Sequence, residues 1–271
     1  MITTTDLLNN QLLENPFQRY ADTRFFYPNL TEQRKVLEVA YGFINDQKDP
    51  SKNLGVIAGS AGSGKSMLAQ KLSQVIFETG EGGHTLGLYL NTNTITEPRH
   101  FLMAVIETLG LPSSRSNTDR VESIFARLEE SDDRLLMVLD GPPVDQEYLT
   151  QLSEWSVEHN KKIKTLVFLQ DINNTTANIG SLNQFLGLYV PFRSPTVTEI
   201  AALLYWRCLM SGQSEPFRLL PEKTFMEVAE NAHGSLSDSL RLAQEALEDQ
   251  LSQKSSEQRL TNFLFRKFEG K

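Results

Sequence analysis

The chain has 271 residues, of which 39% are hydrophobic and 22% charged, so it has the composition of a globular protein with one large or two modest domains. Its formal net charge of -8 argues against a broad basic surface for nucleic acid. The single cysteine, Cys208, excludes an internal disulfide. No stretch approaches the ~20 apolar residues that span a bilayer. We therefore expect a cytoplasmic protein.

The first third of the chain leads into a Gly-rich loop between a strand and a helix. Residues 1–30 form an irregular, aromatic-rich segment, which we expect to pack on the core. Apolar residues recur at helical spacing from 31 to about 47. A short apolar strand, 54–58, then leads into a Gly-rich loop, and the helix after the loop is predicted to end near Gly80.

Strands and helices alternate up to residue 194, and helices follow alone after it. Further strands are predicted at 86–90, 135–139 and 165–169, with helices at 98–109, 118–130 and 146–158. This alternation predicts a parallel sheet covered on both faces, with its ligand at the carboxyl ends of the strands. The helices of the last part are predicted at 197–211, 221–232, 237–253 and 257–268. The fold class is therefore α/β, with a lead-in (1–30), an α/β core (31–194) and a helical domain (195–271).

The Gly-rich loop is a complete P-loop motif, G-x-x-x-x-G-K-[ST], followed by a helix. We expect its eight residues, together with Met67 at the start of the helix, to hold the phosphates of ATP or ADP: Gly59, Ser60, Ala61, Gly62, Ser63, Gly64, Lys65, Ser66 and Met67. Glycines let the backbone N–H groups approach the phosphates at the start of the helix. Lys65 would reach the β- and γ-phosphates, and the Ser66 hydroxyl would bind Mg²⁺.

A second nucleotide-site residue ends the apolar run 135–139. Asp140 lies where an acidic residue would hold Mg²⁺ together with Ser66, through a water molecule. The alternative is that Asp140 only caps the next turn. Because a complete P-loop lies upstream, we favour the metal-binding role, and we assign Lys65 and Asp140 to the hydrolytic site.

The order of these segments resembles the AAA+ ATPases, in which an α/β P-loop core of three layers precedes a small helical lid. It is most similar to the ExeA (general secretion pathway protein A) branch, which includes transposition helpers of the TniB kind. The resemblance covers roughly residues 15–250. Besides the P-loop, short segments at 15–17, 25–28, 87–93, 104–112, 147–152 and 194–207 carry it. The resemblance implies an oligomeric ATP–Mg²⁺-binding protein.

The chain departs from the family pattern at the residue after Asp140. The family has a glutamate there that activates the attacking water, whereas this chain has Gly141, which carries no group that can accept a proton. Asp145 and Glu147 are the nearest carboxylates. They could replace the base, but we favour their being helix N-terminal charges. ATP hydrolysis is therefore expected to be slow or absent.

Three further positions of the family's hydrolytic site are altered or ambiguous. No Arg or Lys occurs from 165 to 192, so Arg193 is the first candidate for an arginine finger. The Arg of the lid motif is missing, and Arg241, one turn later, could contact the nucleotide or face solvent. A polar sensor after the strand 165–169 could be Gln170 or Asp171.

The sequence leaves three functions open. The first is an ATP–Mg²⁺-dependent assembly or regulatory subunit of the secretion or envelope type, forming a homo-oligomer or binding a partner protein. The second is a DNA-binding transposition helper, which the acidic charge does not favour, and the third is a fully active ring ATPase. The aromatic and basic C-terminal tail, 259–271, could face the cytosolic side of the inner membrane or pack on the lid.

Overall fold

A computed structural model of the chain describes residues 12–18, 22–46, 48–49, 51–74, 77–78, 84–94, 98–113, 116–142, 145–159, 162–170 and 180–269. Side chains are not described at 77–78, 98, 181 and 254–269. The chain divides into two compact units. Residues 31–194 form an α/β unit, and residues 1–30 join residues 195–271 in a helical unit.

The α/β unit is built on one sheet of six strands. The strands are β1 (Leu54–Gly59), β2 (Phe77–Glu78), β3 (His84–Asn91), β4 (Arg134–Asp140), β5 (Ile163–Leu169) and β6 (Leu186–Phe192). Their order across the sheet is β2-β3-β4-β5-β1-β6. Five strands are parallel, and only the short β2 pairs antiparallel, with β3. The parallel sheet that the alternating pattern predicted is confirmed.

Helices flank this sheet. They are α1 (Thr31–Asn45), α2 (Lys65–Ser73), α3 (Pro98–Thr108), α4 (Asn117–Glu130) and α5 (Gln146–Glu158). The central strands β1 and β4 are almost wholly buried, as expected of parallel strands covered on both faces. Met137 of β4 packs in one apolar cluster with Phe101 of α3 and Phe125 of α4. The buried side chains of Leu136 and Val138 alternate with it and point to the other face of β4.

Helix α2 is shorter than predicted. It ends at Ser73 and not near Gly80, and the short strand β2 follows it. The end of α2 lies directly on β3, since a Cβ placed at Gly87 would come within 1.9 Å of the Ser73 carbonyl oxygen. The helix therefore ends where it meets the sheet.

The helical unit contains four α-helices in its described residues. These are α6 (Val197–Met210), α7 (Pro216–Leu219), α8 (Glu222–Asn231) and α9 (Leu236–Glu269). A capping box between Thr196 and Glu199 starts α6. Helix α9 replaces the two separate helices predicted for 237–253 and 257–268. Cys208 of α6 is fully buried, and burial raises the pKa of its thiol to about 12, so this thiol is structural.

The N-terminal segment packs on the helical unit, which corrects the expectation that it packs on the α/β core. Leu12, Phe17 and Leu30 share one apolar cluster with Leu204 of α6. The guanidinium of Arg207, whose side chain is only 2% exposed, donates to the carbonyl oxygens of Pro16 (2.5 Å) and Gln18 (3.0 Å). This buried arginine ties the lead-in to α6.

Within the described part of the chain, no helix has the length and apolarity to cross a membrane. The backbone of the C-terminal tail continues α9 to Glu269. Its side chains lie outside the described residues, so the choice between a membrane-facing and a lid-packed tail stays open.

Candidate functional site

The P-loop joins the most buried strand of the sheet to α2. Gly62 and Gly64 adopt positive φ angles of 71° and 99°, and Gly64 is the N-cap of α2 in the left-handed conformation. Such angles suit glycine. The first motif position is closed to side chains as well, because a Cβ at Gly59 would lie 2.5 Å from the carbonyl oxygen of Phe192 in β6. The loop therefore turns tightly, and the first N–H groups of α2 point to its inside.

Lys65 is the first residue of α2 and is only 8% exposed. Its Nζ donates to the carbonyl oxygens of Gly59 (2.9 Å) and Ser60 (2.6 Å). Burial lowers the pKa of the Lys65 ammonium, and the negative charge of Asp140 opposes this shift. A buried ammonium in electrostatic reach of a carboxylate is suited to bind phosphate oxygens.

Two serines of the loop are held by short hydrogen bonds. Ser63 donates its hydroxyl to the Ser60 carbonyl at 2.8 Å, and the hydroxyls of Ser60 and Ser194 lie 3.0 Å apart. Ser194 lies two residues after the end of β6, the strand that is next to β1 in the sheet. The contact therefore anchors the loop to the end of β6. Ser66 and Ala61 are exposed and Met67 is half-buried.

Asp140 ends β4 and is 7% exposed. The strand pairing places it level with Asn91 of β3 and Phe168 of β5. Tyr89 donates its hydroxyl to Asp140 Oδ2 at 2.8 Å. Burial, and then the charge and the hydrogen bond of Asp140, raise the pKa of Tyr89 to about 12, while a hydrogen bond from the Gln70 side chain on α2 opposes the shift.

Gly141, the residue after Asp140, is enclosed by the turn after β3. It has a φ of 133°, and a Cβ on it would lie 2.6 Å from the hydroxyl oxygen of Thr92. Thr92 donates to the carbonyl oxygens of Pro142 (2.8 Å) and Asp140 (3.3 Å). In the same turn, Asn91 Oδ1 accepts hydrogen bonds from the backbone N–H and the side-chain amide of Asn93. These contacts leave no room for a side chain at position 141.

The other predicted residues lie at the carboxyl ends of neighbouring strands or on helices. Gln170 is exposed and directly follows Leu169, which pairs with Ala58, so it lies level with the start of the P-loop. Asp171 lies outside the described residues. Arg193 is exposed and directly follows Phe192, the residue that pairs with Gly59.

Two further predicted residues have local partners. Asp145 is the N-cap of α5, and its carboxylate accepts from the backbone N–H of Glu147 at 3.0 Å. Arg241 belongs to the helical unit, where its guanidinium pairs with Glu245 (2.9 Å) and Asp238 (3.5 Å) on the same helix. Whether Arg241 contacts a nucleotide remains a prediction.

Sequence reasoning missed Gln70, Tyr89 and Thr92 as residues of this site. They contribute no motif of their own, because their roles depend on contacts between distant segments. Tyr89 is 51 residues from Asp140 and Thr92 is 50 from Pro142. The signal that could have found them is the parallel pairing of β3 with β4, which aligns polar residues at the same edge of the sheet.

Residues 53–176 match the NACHT domain, a P-loop NTPase domain. No curated protein matches the chain. Among solved structures, the chain is similar to ORC2 of Aeropyrum pernix in its ADPNP–ADP complexes, with a TM-score of 0.63, 17% identity, and coverage of 82% of this chain and 64% of that one. It is also similar to ORC1 of Aeropyrum pernix in complex with DNA, with a TM-score of 0.63, 16% identity, and coverage of 91% and 70%.

Cdc6p from Pyrobaculum aerophilum has the same fold, with a TM-score of 0.59, 14% identity, and coverage of 85% of this chain and 63% of that one. The chain thus spans between 63% and 70% of the length of these three proteins. These similarities show the fold, an α/β P-loop core like that of the ORC and Cdc6 proteins.

Proposed function

We propose that the chain binds ATP with Mg²⁺ and uses it as a structural switch, with slow or absent hydrolysis by the chain alone. The observation that carries this proposal is that an intact P-loop occurs together with a glycine at position 141, where the surrounding turn leaves no space for a glutamate side chain. Lys65 is buried within reach of the charge of Asp140, whereas Gly141 faces Thr92. Contacts made in the ground state govern affinity, while contacts made only in the transition state govern rate.

The residues present fit a nucleotide with Mg²⁺. Gly62 and Gly64 adopt positive φ angles that turn the loop, so backbone N–H groups at the start of α2 would face the phosphates. Ser66 and Asp140 supply a hydroxyl and a carboxylate, the hard oxygen donors that Mg²⁺ prefers. When bound, Mg²⁺ would offset the negative charge of the phosphates. Lys65 would leave its carbonyl partners and bind the β- and γ-phosphates.

Slow hydrolysis follows from the groups around the attacking water. Gly141 offers no base, and the Asp145 carboxylate already caps α5. Gln170 remains the polar residue at the end of β5 that could orient a water molecule, and Arg193 the first cation after β6. Both lie on this chain beside its own P-loop. An arginine or a base supplied by a partner subunit would raise the rate, so hydrolysis is expected to depend on assembly.

The role that fits a nucleotide switch is assembly or regulation of a protein complex. The ExeA-type resemblance supports a homo-oligomer or a partner protein in secretion or the cell envelope, and the net charge of -8 supports a protein partner over nucleic acid. A cytoplasmic site of action, on the cytosolic face of the inner membrane, agrees with the aromatic and basic tail.

The test is a matched pair of measurements on the purified chain, namely ATP affinity in Mg²⁺ by calorimetry and steady-state hydrolysis. Lys65→Ala should weaken ATP binding by about 10- to 100-fold, because a charge-assisted contact with phosphate is lost. Lys71→Ala removes the same charge from the last turn of the same helix and should leave affinity unchanged. Clear ATP turnover by the isolated wild-type chain that is lost in Lys65→Ala would contradict the proposed switch with slow or absent hydrolysis.

A DNA-dependent role is the second candidate. One similar structure is of ORC1 in complex with DNA, and another is of Drosophila ORC bound to DNA, at a TM-score of 0.54. DNA affinity that needs ATP and falls steeply with salt would favour this role over a protein partner. Absence of DNA binding at low salt, with and without ATP, would exclude it.

A further inference from the structure

Tyr89 of β3 lies between Asp140 and the P-loop helix. It donates its hydroxyl to Asp140 Oδ2 at 2.8 Å. The Gln70 side chain of α2 is close enough to this hydroxyl to oppose the rise in the pKa of Tyr89. The three residues belong to α2, β3 and β4, so these contacts extend from the helix to two strands of the sheet.

Gln70 occupies a defined position relative to the predicted metal ligand on α2. Ser66 and Gln70 are four residues apart in one helix, so their side chains lie on the same face, about 6 Å apart along the axis. The end of α2 is also packed on β3 at Gly87. The distance between Ser66 and Asp140 therefore depends on how α2 is fixed to β3 and β4.

We propose that Gln70 and Tyr89 are positioning residues that hold Asp140 at the correct distance and orientation from Ser66 to bind one Mg²⁺ with the nucleotide. The proposal rests on the proposed function. A hydrogen bond to Oδ2 fixes the plane of the carboxylate and so directs Oδ1. Groups that orient a metal ligand in this way contribute to metal affinity without contacting the metal.

The chemistry of a tyrosine at this position supports the assignment. A phenol at the end of a rigid ring has one donor, which it gives to Asp140, and an oxygen that can accept from Gln70. A phenylalanine would fill the same space and pack equally well. The hydroxyl is therefore the part of the side chain that affects metal binding, and Tyr89→Phe removes it alone.

The experiment measures ADP affinity by calorimetry twice, with Mg²⁺ and with EDTA. The ratio of the two dissociation constants reports how much Mg²⁺ strengthens binding. For Tyr89→Phe we expect this ratio to fall by about 10-fold, the size typical of a lost outer-shell partner, with the affinity in EDTA unchanged. Tyr189→Phe, which removes a hydroxyl from β6 of the same sheet, should leave the ratio at the wild-type value.

Each outcome decides the proposal. An unchanged or larger Mg²⁺ ratio in folded Tyr89→Phe would overturn it while leaving the nucleotide site intact. A wild-type chain that binds no ADP, or binds it without regard to Lys65, would refute the proposed function itself. Gln70→Met keeps the helix and the packing but loses the amide, so it should lower the ratio too, and it carries the test if Tyr89→Phe does not fold.

Discussion

Gly141 and Thr92 are in direct contact at the carboxyl edge of the sheet. A Cβ on Gly141 would lie 2.6 Å from Thr92 Oγ1, and Gly141 already has a φ of 133°. The Thr92 hydroxyl cannot simply turn away, because it donates to the Pro142 carbonyl at 2.8 Å. The turn after β3 therefore fills the space that a glutamate at position 141 would need.

Replacing Gly141 with alanine should destabilise the protein through both backbone strain and steric contact. Gly110 is a matched control, since it also has a positive φ (66°) but has nothing within 4 Å of a Cβ. We expect Gly110→Ala to lower the free energy of unfolding by about 1–2 kcal/mol. Gly141→Ala should cost about 2 kcal/mol more, through overpacking and through a φ that is less favourable to a side chain than that of Gly110. If urea denaturation showed an equal loss in the free energy of unfolding for the two variants, Thr92 would move aside at little cost.

Placing a glutamate at position 141, as in the ExeA-type pattern that the sequence resembles, should not raise ATP hydrolysis. In Gly141→Glu, the side chain cannot leave the backbone in the native direction without displacing Thr92, so we expect no gain in steady-state ATP turnover over wild type. ATP affinity, measured beside Lys65→Ala, serves as the control that the site is still folded. A large rise in turnover with affinity retained would mean that the turn rearranges easily.

The contact between α2 and β3 predicts a strong effect at Gly87. A Cβ there would lie 1.9 Å from the carbonyl oxygen of Ser73 and 2.8 Å from its Cα, which are backbone atoms that cannot rotate away. Gly87→Ala should therefore lower the free energy of unfolding by about 3 kcal/mol, the upper part of the overpacking range.

Gly42 provides the opposite control. It lies in α1 with nothing within 4 Å of a Cβ, so Gly42→Ala should raise the free energy of unfolding by about 0.5–1 kcal/mol through helix propensity. Thermal melts of the two variants should shift in opposite directions. A small loss in Gly87→Ala would mean that α2 is not fixed on β3 at this point.

Most of the α/β fold could be predicted because its signals are local. The apolar runs at β1, β4 and β5 are continuous, as in buried parallel strands. Strand β6 could not be assigned a range, because it is an edge strand that is half exposed and contains Pro191, which is tolerated there. The end of α2 and the packing of the N-terminal segment depend on contacts with distant residues, which periodicity does not report.

The residues of the candidate site also fall into those that the sequence predicts and those that it does not. The P-loop could be predicted from eight consecutive residues, because its geometry is set within one turn and one helix start. The enclosure of Gly141 could not be predicted, because the enclosing residue, Thr92, precedes it by 49 positions. Neither could the role of Tyr89, which requires the pairing of β3 with β4.

Arg207 should be essential for attaching the N-terminal segment. It donates to two backbone carbonyls of that segment, and its guanidinium carbon lies 4.3 Å from the centre of the Phe25 ring. Lysine cannot reproduce this planar, forked geometry. We expect Arg207→Lys to lower the free energy of unfolding by about 2 kcal/mol, because a buried carbonyl loses its donor.

The measurement combines a thermal melt with limited proteolysis of the N-terminal segment. Arg218→Lys, an exposed arginine of the same unit that pairs with Glu215, should change stability by less than about 0.5 kcal/mol. Cleavage of the segment at the wild-type rate in Arg207→Lys would show that its apolar residues alone hold it in place.

Tyr89 should keep its proton well above the ordinary range of tyrosine. Burial and the neighbouring Asp140 raise its pKa from 10.0 to about 12. Between pH 10 and pH 12 the unfolded chain has lost this proton while the folded chain retains it, so the free energy of unfolding should fall as the pH rises through this window. Tyr89→Phe should show a smaller fall than wild type.

Phenolate absorbance, taken as the difference between wild type and Tyr89→Phe, gives the pKa of Tyr89 directly. Asp140→Asn removes the negative charge and should lower that pKa, while burial, the larger cause, should keep it above 10.0. If Tyr89 instead titrated at 10.0 in wild type, its hydroxyl would be solvated and not bound to Asp140. The hydrogen bond on which the positioning of Asp140 depends would then be absent in solution.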